Sequence, residues 1–211
     1  IGRTFKESLQ KALRSLEVGA WGFGGGKYGE RFASPDSLRS QVALGNALVG
    51  DNSVVLPRDV ITQKLVTPND ARIFYIRHAM RAGFTNEEIF NLTKIDPWFL
   101  AQLRELVDEE ESLYAFGAEG LVEELSSLVV HNGYELMSES LLPHLHRSKS
   151  LGFSDRQIAA AWGTTEQGIR ELREGFNLHP SYRLVDTCAA EFEAYTPYYY
   201  SPYANQVDEV R

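Results

Sequence analysis

The chain has 211 residues, of which 21 are basic and 29 acidic, so its formal net charge at pH 7 is −8. This acidic balance lowers the expectation of nucleic-acid binding, because phosphate neutralisation supplies much of the affinity of such proteins. The one cysteine, Cys188, excludes an internal disulfide and favours a reducing, cytoplasmic setting, and no apolar run approaches the roughly 18 residues of a membrane span.

The N-terminal segment predicts a helix. Thr4 and Glu7 have the spacing of a capping box, and Gly19 is expected to end the helix. The predicted buried face consists of Phe5, Leu9, Ala12, Leu13 and Leu16.

The glycine-rich stretch that follows, WGFGGGKYGE (21–30), is interpreted as a flexible connector. Trp21 stands five residues before Gly26, where a P-loop requires glycine, and Tyr28 stands where a Ser or Thr must reach magnesium. Gly24, Gly26 and Gly29 match G-x-G-x-x-G, but no strand precedes them.

Two further helices are predicted before residue 83. Ser34 and Pro35 suit the N-cap and the first position of one helix. Residues 50–67 are expected to form a long loop. The next helix is predicted to have Thr67 as its cap and Pro68 as its first residue. Its predicted buried face includes Ala71, Phe74, Tyr75 and Met80.

An internal repeat occupies the centre of the chain. GFTNEEIFNLTKIDPWFLAQLREL (83–106) aligns without gaps on GFSDRQIAAAWGTTEQGIRELREG (152–175), 69 residues later. Each copy predicts a pair of short helices, the first opened by a capping box and the second by an N-cap residue. These residues are Thr85 with Glu88, and Asp96, in the first copy, and Ser154 with Gln157, and Thr165, in the second.

The remaining segments predict helices up to an extended tail. Residues 102–117 continue a helix, and residues 118–130 and 138–149 are predicted to form two more. The acidic run Asp108–Glu111 is interpreted as a solvated helix face. The fold class is therefore all-α: an irregular multi-helix domain with two related helix-turn-helix-like pairs and an extended, aromatic C-terminal tail.

The second helix pair raises the question of DNA recognition. Ala159 and Gly163 occupy the small and turn positions of a helix-turn-helix. However, the second helix of this pair, which would be the recognition helix, carries three acidic residues, Glu166, Glu171 and Glu174, against Arg170 and Arg173. The first copy also has Phe90 and Lys94 where a tight turn favours small residues. Helix packing is the favoured interpretation, and a helix-turn-helix DNA-binding protein is the alternative.

No catalytic or metal site is predicted. His144 and His146 are two residues apart, which directs them to different faces of a helix, and His78, His131 and His179 stand alone. Cys188 has no neighbouring base in the sequence and is expected to be a small buried residue. The sequence offers no set of nucleophile, base and orienting group.

Three stretches resemble the large subunit of carbamoyl-phosphate synthetase, in the order expected for its central segment. They are IGRTFKESLQKALRSLEVG (1–19), IFNLTKIDPWFLAQLREL (89–106) and HPSYRLVDTCAAEFEAYTPYYYSPY (179–203). The resemblance implies a helical oligomerisation domain between two ATP-grasp halves, and a start at Ile1 fits a processed chain or a piece of a longer one. The implied division is 1–18 as the closing helix of the first half, 19–69 as a connector with the glycine-rich loop and a helix, 70–184 as the oligomerisation domain and 185–211 as the lead-in to the second half.

The resemblance also implies a function. The segment would be a non-catalytic scaffold within an ATP-dependent ligase that makes carbamoyl phosphate from bicarbonate, ATP and ammonia or glutamine for arginine and pyrimidine biosynthesis. ATP and Mg²⁺, with K⁺, would belong to the parent enzyme, and no catalytic, cofactor-binding or metal-binding residue is carried over to this segment. The implied partners are the flanking ATP-grasp halves, other large subunits and the glutaminase small subunit, but neither nucleic acid nor a membrane.

Overall fold

The computed structural model describes residues 1–26, 56–118, 134–187, 191–192 and 198–203. Within these ranges the chain forms eight helices and one two-stranded sheet, so the all-α prediction is confirmed. The helices are α1 (Phe5–Ser15), α2 (Arg58–Val66), α3 (Arg72–Arg81), α4 (Asn86–Thr93), α5 (Pro97–Ala118), α6 (Tyr134–Ser150), α7 (Asp155–Trp162) and α8 (Glu166–Gly175). The strands β1 (Arg183–Leu184) and β2 (Tyr199–Tyr200) pair antiparallel.

The chain divides into two compact units, and each unit holds one copy of the repeat. One unit consists of Ile1–Ser15 and Ser112–Arg211, and the other of Leu16–Glu111. The first copy follows α3 in the second of these units, and the second copy follows α6 in the other. In both units the repeated helix pair therefore follows a further helix along the chain.

The predicted helix starts of the repeat are confirmed. Thr85 and Ser154 each form both hydrogen bonds of a capping box with the residue three positions later. Asp96 Oδ1 accepts the Trp98 N–H at 2.8 Å, and Thr165 Oγ1 accepts the Gly168 N–H at 3.0 Å. Because these side chains satisfy N–H groups that no helical carbonyl can reach, each is worth on the order of 1 kcal/mol to its helix.

The turn between the two helices is the same in both copies. Lys94 adopts φ 58° and ψ 20°, and Gly163 adopts φ 67° and ψ 27°, so both end the first helix in the left-handed region. The expectation that Lys94 is unsuited to a tight turn is therefore wrong. The first copy builds the turn with a non-glycine residue, at a backbone cost of about 1 kcal/mol.

Both copies bury their apolar residues at equal positions of the alignment. The phenylalanine that precedes each capping box is 4% exposed in the first copy (Phe84) and 3% in the second (Phe153). The first copy also buries Ile89, Leu100 and Leu103, and the second buries Ile158, Ile169 and Leu172. Each such side chain contributes about 1.5–3 kcal/mol when it is removed from water.

The segment before α3 differs from its prediction. Residues 58–66 form α2, not a loop, and the helix buries Ile61 and Leu65, which lie one turn apart. Thr67 is the C-cap of α2 and does not open the next helix, because α3 begins at Arg72 after Ala71. Of the predicted buried face of α3, Phe74 and Met80 are buried, whereas Ala71 and Tyr75 are partly exposed.

The predicted buried face of helix α1 is confirmed at Leu13 and wrong at its other four positions. The buried residues are Glu7, Gln10 and Leu13, whereas Ala12 and Leu16 are exposed and Phe5 and Leu9 are partly exposed. Thr4 Oγ1 accepts the Glu7 N–H at 3.2 Å, as a cap requires, while the Glu7 carboxylate accepts the Arg3 N–H at 2.7 Å and pairs with Lys11 at 2.6 Å. The helix ends at Ser15, before the predicted stop at Gly19. Burial of Glu7 is tolerated because its carboxylate has these partners.

The predicted helix over 138–149 and the long helix through 102–117 are confirmed as parts of α6 and α5. The backbone is paired on both sides of β1: the Ser181 N–H donates to the Pro202 carbonyl at 3.0 Å and the Val185 N–H to the Tyr198 carbonyl at 2.7 Å, which agrees with an extended tail. The predicted helix start at Ser34 and Pro35, most of the segment 118–130, Tyr28, Gly29, His131 and Cys188 lie outside the described residues.

Candidate interaction surface and buried charge clusters

The second helix of the second helix pair, α8, carries two arginines that could contact DNA under the alternative interpretation, and one of them lies in the interior. Arg173 is 8% exposed, and its Nε and Nη2 donate to the Asp155 carboxylate at 3.0 and 2.6 Å. Its Nη1 donates to the Leu178 carbonyl at 3.3 Å. Because its donors are occupied by these partners, this guanidinium is not available to bind phosphate.

The outer face of α8 is acidic. Its exposed charged residues are Glu166, Arg170, Glu171 and Glu174, three carboxylates against one guanidinium. A recognition helix lies close to DNA phosphates, which repel this charge. The described residues therefore give no support to the DNA-binding alternative.

The first copy contains an equivalent arginine. Arg104 stands 18 residues after Asn86, as Arg173 does after Asp155, and its guanidinium donates to Asn86 Oδ1 at 3.1 Å and to the Phe84 carbonyl at 2.6 Å. In both copies an arginine on the second helix holds the first residue of the first helix. This arginine is a packing residue of the repeat.

In the second copy, Lys149 also contacts the Asp155 carboxylate that Arg173 binds. Lys149 Nζ donates to Asp155 Oδ1 at 2.8 Å and to the Phe153 carbonyl at 2.9 Å, and lies 4.8 Å from the centre of the Tyr203 ring. Burial lowers the pKa of Lys149 to about 8, against the opposing attraction of Asp155. Burial alone would raise the pKa of Asp155, but the hydrogen bonds from Arg173 and Lys149 prevail and hold it below its usual value.

The other unit contains a buried ion pair that the sequence did not reveal. Arg77 Nε and Nη2 donate to the two carboxylate oxygens of Glu110 at 2.7 and 2.8 Å. The two side chains are 1% and 9% exposed. The interpretation of residues 108–111 as a solvated face is therefore wrong for Glu109 and Glu110, which are buried, whereas Asp108 and Glu111 are exposed.

The glycine-rich stretch packs against this ion pair. A Cβ on Gly24 would collide with the Glu110 carboxylate and lie 2.9 Å from Arg77 Nε. Ala20 and Gly26 form an antiparallel bridge, and Gly25 and Gly26 have φ of 84° and 71°. In its described part the stretch forms a closed turn, and the absence of a side chain at Gly24 permits the close approach to the ion pair.

The histidines do not form a common site in the described part of the chain. His78 is 7% exposed, and burial, with the charges of Arg77 and Arg81, lowers its pKa to about 3. The His144 ring stacks on Phe116 with centres 4.4 Å apart. No group of three or more potential metal ligands occurs among the described residues. None of the described helices combines the length and the apolar character needed to cross a bilayer.

Exposed aromatic side chains at the start of α5 form the clearest candidate for an interaction surface. Trp98 is 54% exposed and Phe99 42%, and their rings meet edge to face with centres 5.0 Å apart. Pro97 beside them is exposed, and Ile95 is partly exposed. We call Ile95, Pro97, Trp98 and Phe99 the aromatic patch.

The sequence around the aromatic patch already indicates that its aromatic pair is exposed. Leu100, Leu103 and Val107 are buried at helical spacing, so they fix the inner face of α5. Trp98 and Phe99, which directly precede Leu100, cannot both share that face. A large exposed apolar pair at the start of a helix is a feature of binding surfaces.

The fold and these surfaces define a helical repeat module in which the helix-turn-helix arrangement serves packing. The family model of the oligomerisation domain of the carbamoyl-phosphate synthetase large chain matches residues 1–48 and 38–177. The chain belongs to this family.

Relatives with curated names match nearly the whole chain. The carbamoyl phosphate synthase large chain of Archaeoglobus fulgidus is 39% identical over 211 residues, which are 100% of this chain and 16% of that protein. The large chain of Rhodopirellula baltica is 42% identical over 208 residues, 99% of this chain and 16% of that protein. The N-terminal section of the large chain of Methanopyrus kandleri is 37% identical over 212 residues, 100% of this chain and 32% of that protein. The chain thus spans a sixth to a third of the length of these relatives.

Proposed function

We propose that this chain is the self-association segment of a carbamoyl-phosphate synthetase large chain. The observation that carries the proposal is the match of the oligomerisation-domain family to residues 1–177. The exposed aromatic patch supports it, because oligomer interfaces are enriched in aromatic side chains.

The activity of the parent protein is part of the same proposal. By resemblance, it is an ATP-dependent ligase that forms carbamoyl phosphate from bicarbonate, ATP and ammonia or glutamine, with Mg²⁺ and K⁺, and receives ammonia from a glutaminase subunit. The names of the relatives support this assignment. A cytoplasmic location is proposed with it, on the support of the single cysteine.

We also propose the domain division for this chain. Residues 1–18 close a first ATP-grasp half, 19–69 connect it, 70–184 are the oligomerisation domain and 185–211 lead into a second half. In this arrangement the segment is a non-catalytic scaffold. Its role is to hold catalytic parts of the same chain and to pair with other large chains.

Sedimentation velocity over a thousandfold range of protein concentration tests the proposal. We expect the sedimentation coefficient to rise with concentration, and duplex DNA added at low salt to leave it unchanged. A constant monomeric value over the whole range would contradict self-association. Co-sedimentation with DNA that Arg170→Ala abolishes would instead support the alternative.

A further inference from the structure

The aromatic patch is a departure from the repeat. The residues of the second copy that align with Trp98 and Phe99 are Gln167 and Gly168, also in the first turn of the second helix. The capping box of the first helix and the left-handed residue of the connecting turn have the same geometry in the two copies. The aromatic pair is therefore not required to build this turn, and its exposure in the first copy needs another explanation.

Opposite charges border the patch. Lys94 and Asp96 are exposed and lie three residues and one residue before Pro97 on the chain, on either side of Ile95. In a symmetric dimer, the same surface of both copies meets itself, so each side chain faces groups of the surface to which it belongs. A patch with a cation and a carboxylate at its border complements its own copy, whereas a border of one sign would repel it.

We propose that the aromatic patch is the contact through which two copies of this chain pair about a two-fold axis, with Trp98 as its central anchor. The inference rests on the proposed function, which supplies the second copy as the occupant. Tryptophan is the side chain most often found as an energetic anchor at interface centres. The apolar patch excludes water, and the Lys94 and Asp96 charges set the orientation of the two copies.

The test uses the full natural polypeptide that carries this sequence. Trp98→Gln places at the patch the residue that the second copy already has at its equivalent position, so the fold should persist. Val66→Gln is the matched control, because Val66 is an apolar residue of the same unit that is 53% exposed and lies on α2. Lys94→Glu is a second variant that leaves the rings intact and gives the border a single sign.

Sedimentation equilibrium should show that Trp98→Gln weakens the dimer at least about 30-fold, the loss typical of an anchor residue. Lys94→Glu should weaken it about fivefold at low salt, and less at high salt. Val66→Gln should change it less than about twofold. Circular dichroism and thermal unfolding of each variant verify that the fold is retained.

Three results would overturn the proposal, and they differ in their meaning. If wild type associates but Trp98→Gln associates equally well, the patch is not the contact, and the proposed function stands. If wild type is monomeric throughout, both fail. Acrylamide quenching of the Trp98 fluorescence, taken as the difference between wild type and Trp98→Gln in the monomeric range, should show an accessible indole. An indole shielded in the monomer would mean that another part of the same polypeptide covers the patch, and would refute the proposal.

Discussion

Glu110→Gln is the substitution that most sharply probes the interior of residues 16–111. The variant keeps the shape of the side chain but removes the negative charge that faces the Arg77 guanidinium, which is 1% exposed. The amide oxygen of glutamine can still accept one of the two hydrogen bonds, of 2.7 and 2.8 Å, but the other is lost because the amide nitrogen cannot accept. Removing one partner of a buried ion pair typically costs about 3–5 kcal/mol, a large fraction of the 5–15 kcal/mol that stabilises a typical domain.

Asp108→Asn provides the matched control two residues earlier on the same helix, because Asp108 is exposed. Neutralising an exposed carboxylate should cost less than about 1 kcal/mol. Urea unfolding of both variants, followed by circular dichroism at pH 7, measures the two free energies. A cost for Glu110→Gln as small as that for Asp108→Asn would show that the buried pair of Arg77 and Glu110 contributes little to the stability of this unit.

Three further predictions concern single residues. His78 has a folded-state pKa of about 3, below its unfolded value, so the unfolded chain takes up a proton between pH 7 and pH 5 and the folded chain does not. The free energy of unfolding should therefore fall by about 2 kcal/mol from pH 7 to pH 5 in the wild type and by less in His78→Gln. Urea titrations at several pH values measure this difference. Gly163→Ala should cost about 1 kcal/mol in thermal unfolding through backbone strain alone, because Gly163 has φ 67° and a Cβ there would meet nothing within 4 Å. Asp155→Asn should cost about 3 kcal/mol by urea unfolding because Lys149 and Arg173 lose their shared carboxylate; a cost below 1 kcal/mol would show that the cluster is well solvated.

The features predicted well from the sequence are those fixed by neighbours in the chain. The caps at Thr85, Asp96, Ser154 and Thr165 involve groups two or three residues apart, so their chemistry is visible in the sequence. The internal repeat strengthened these cap predictions, because chance rarely produces the same capping pattern twice at equivalent positions. Helix type and approximate extent followed from these starts.

The features missed are those fixed by distant partners. Glu110 reads as part of an acidic run until Arg77, 33 residues away, is placed beside it. The sequence also does not show that Gly24 packs against that ion pair, where a side chain would collide with Glu110. Helix α2 was not predicted because it buries only two residues, Ile61 and Leu65. Two apolar positions are too few to distinguish a helical period from a loop.

Self-association is the central claim, and native mass spectrometry of mixed copies tests it most directly. Chain labelled with ¹⁵N and unlabelled chain are combined in equal amounts at a concentration above the dissociation constant, and the masses of the complexes are recorded. The account predicts complexes that contain both labels, with a one-to-two-to-one distribution if the assembly is a freely exchanging dimer. Monomers alone at every concentration would contradict it.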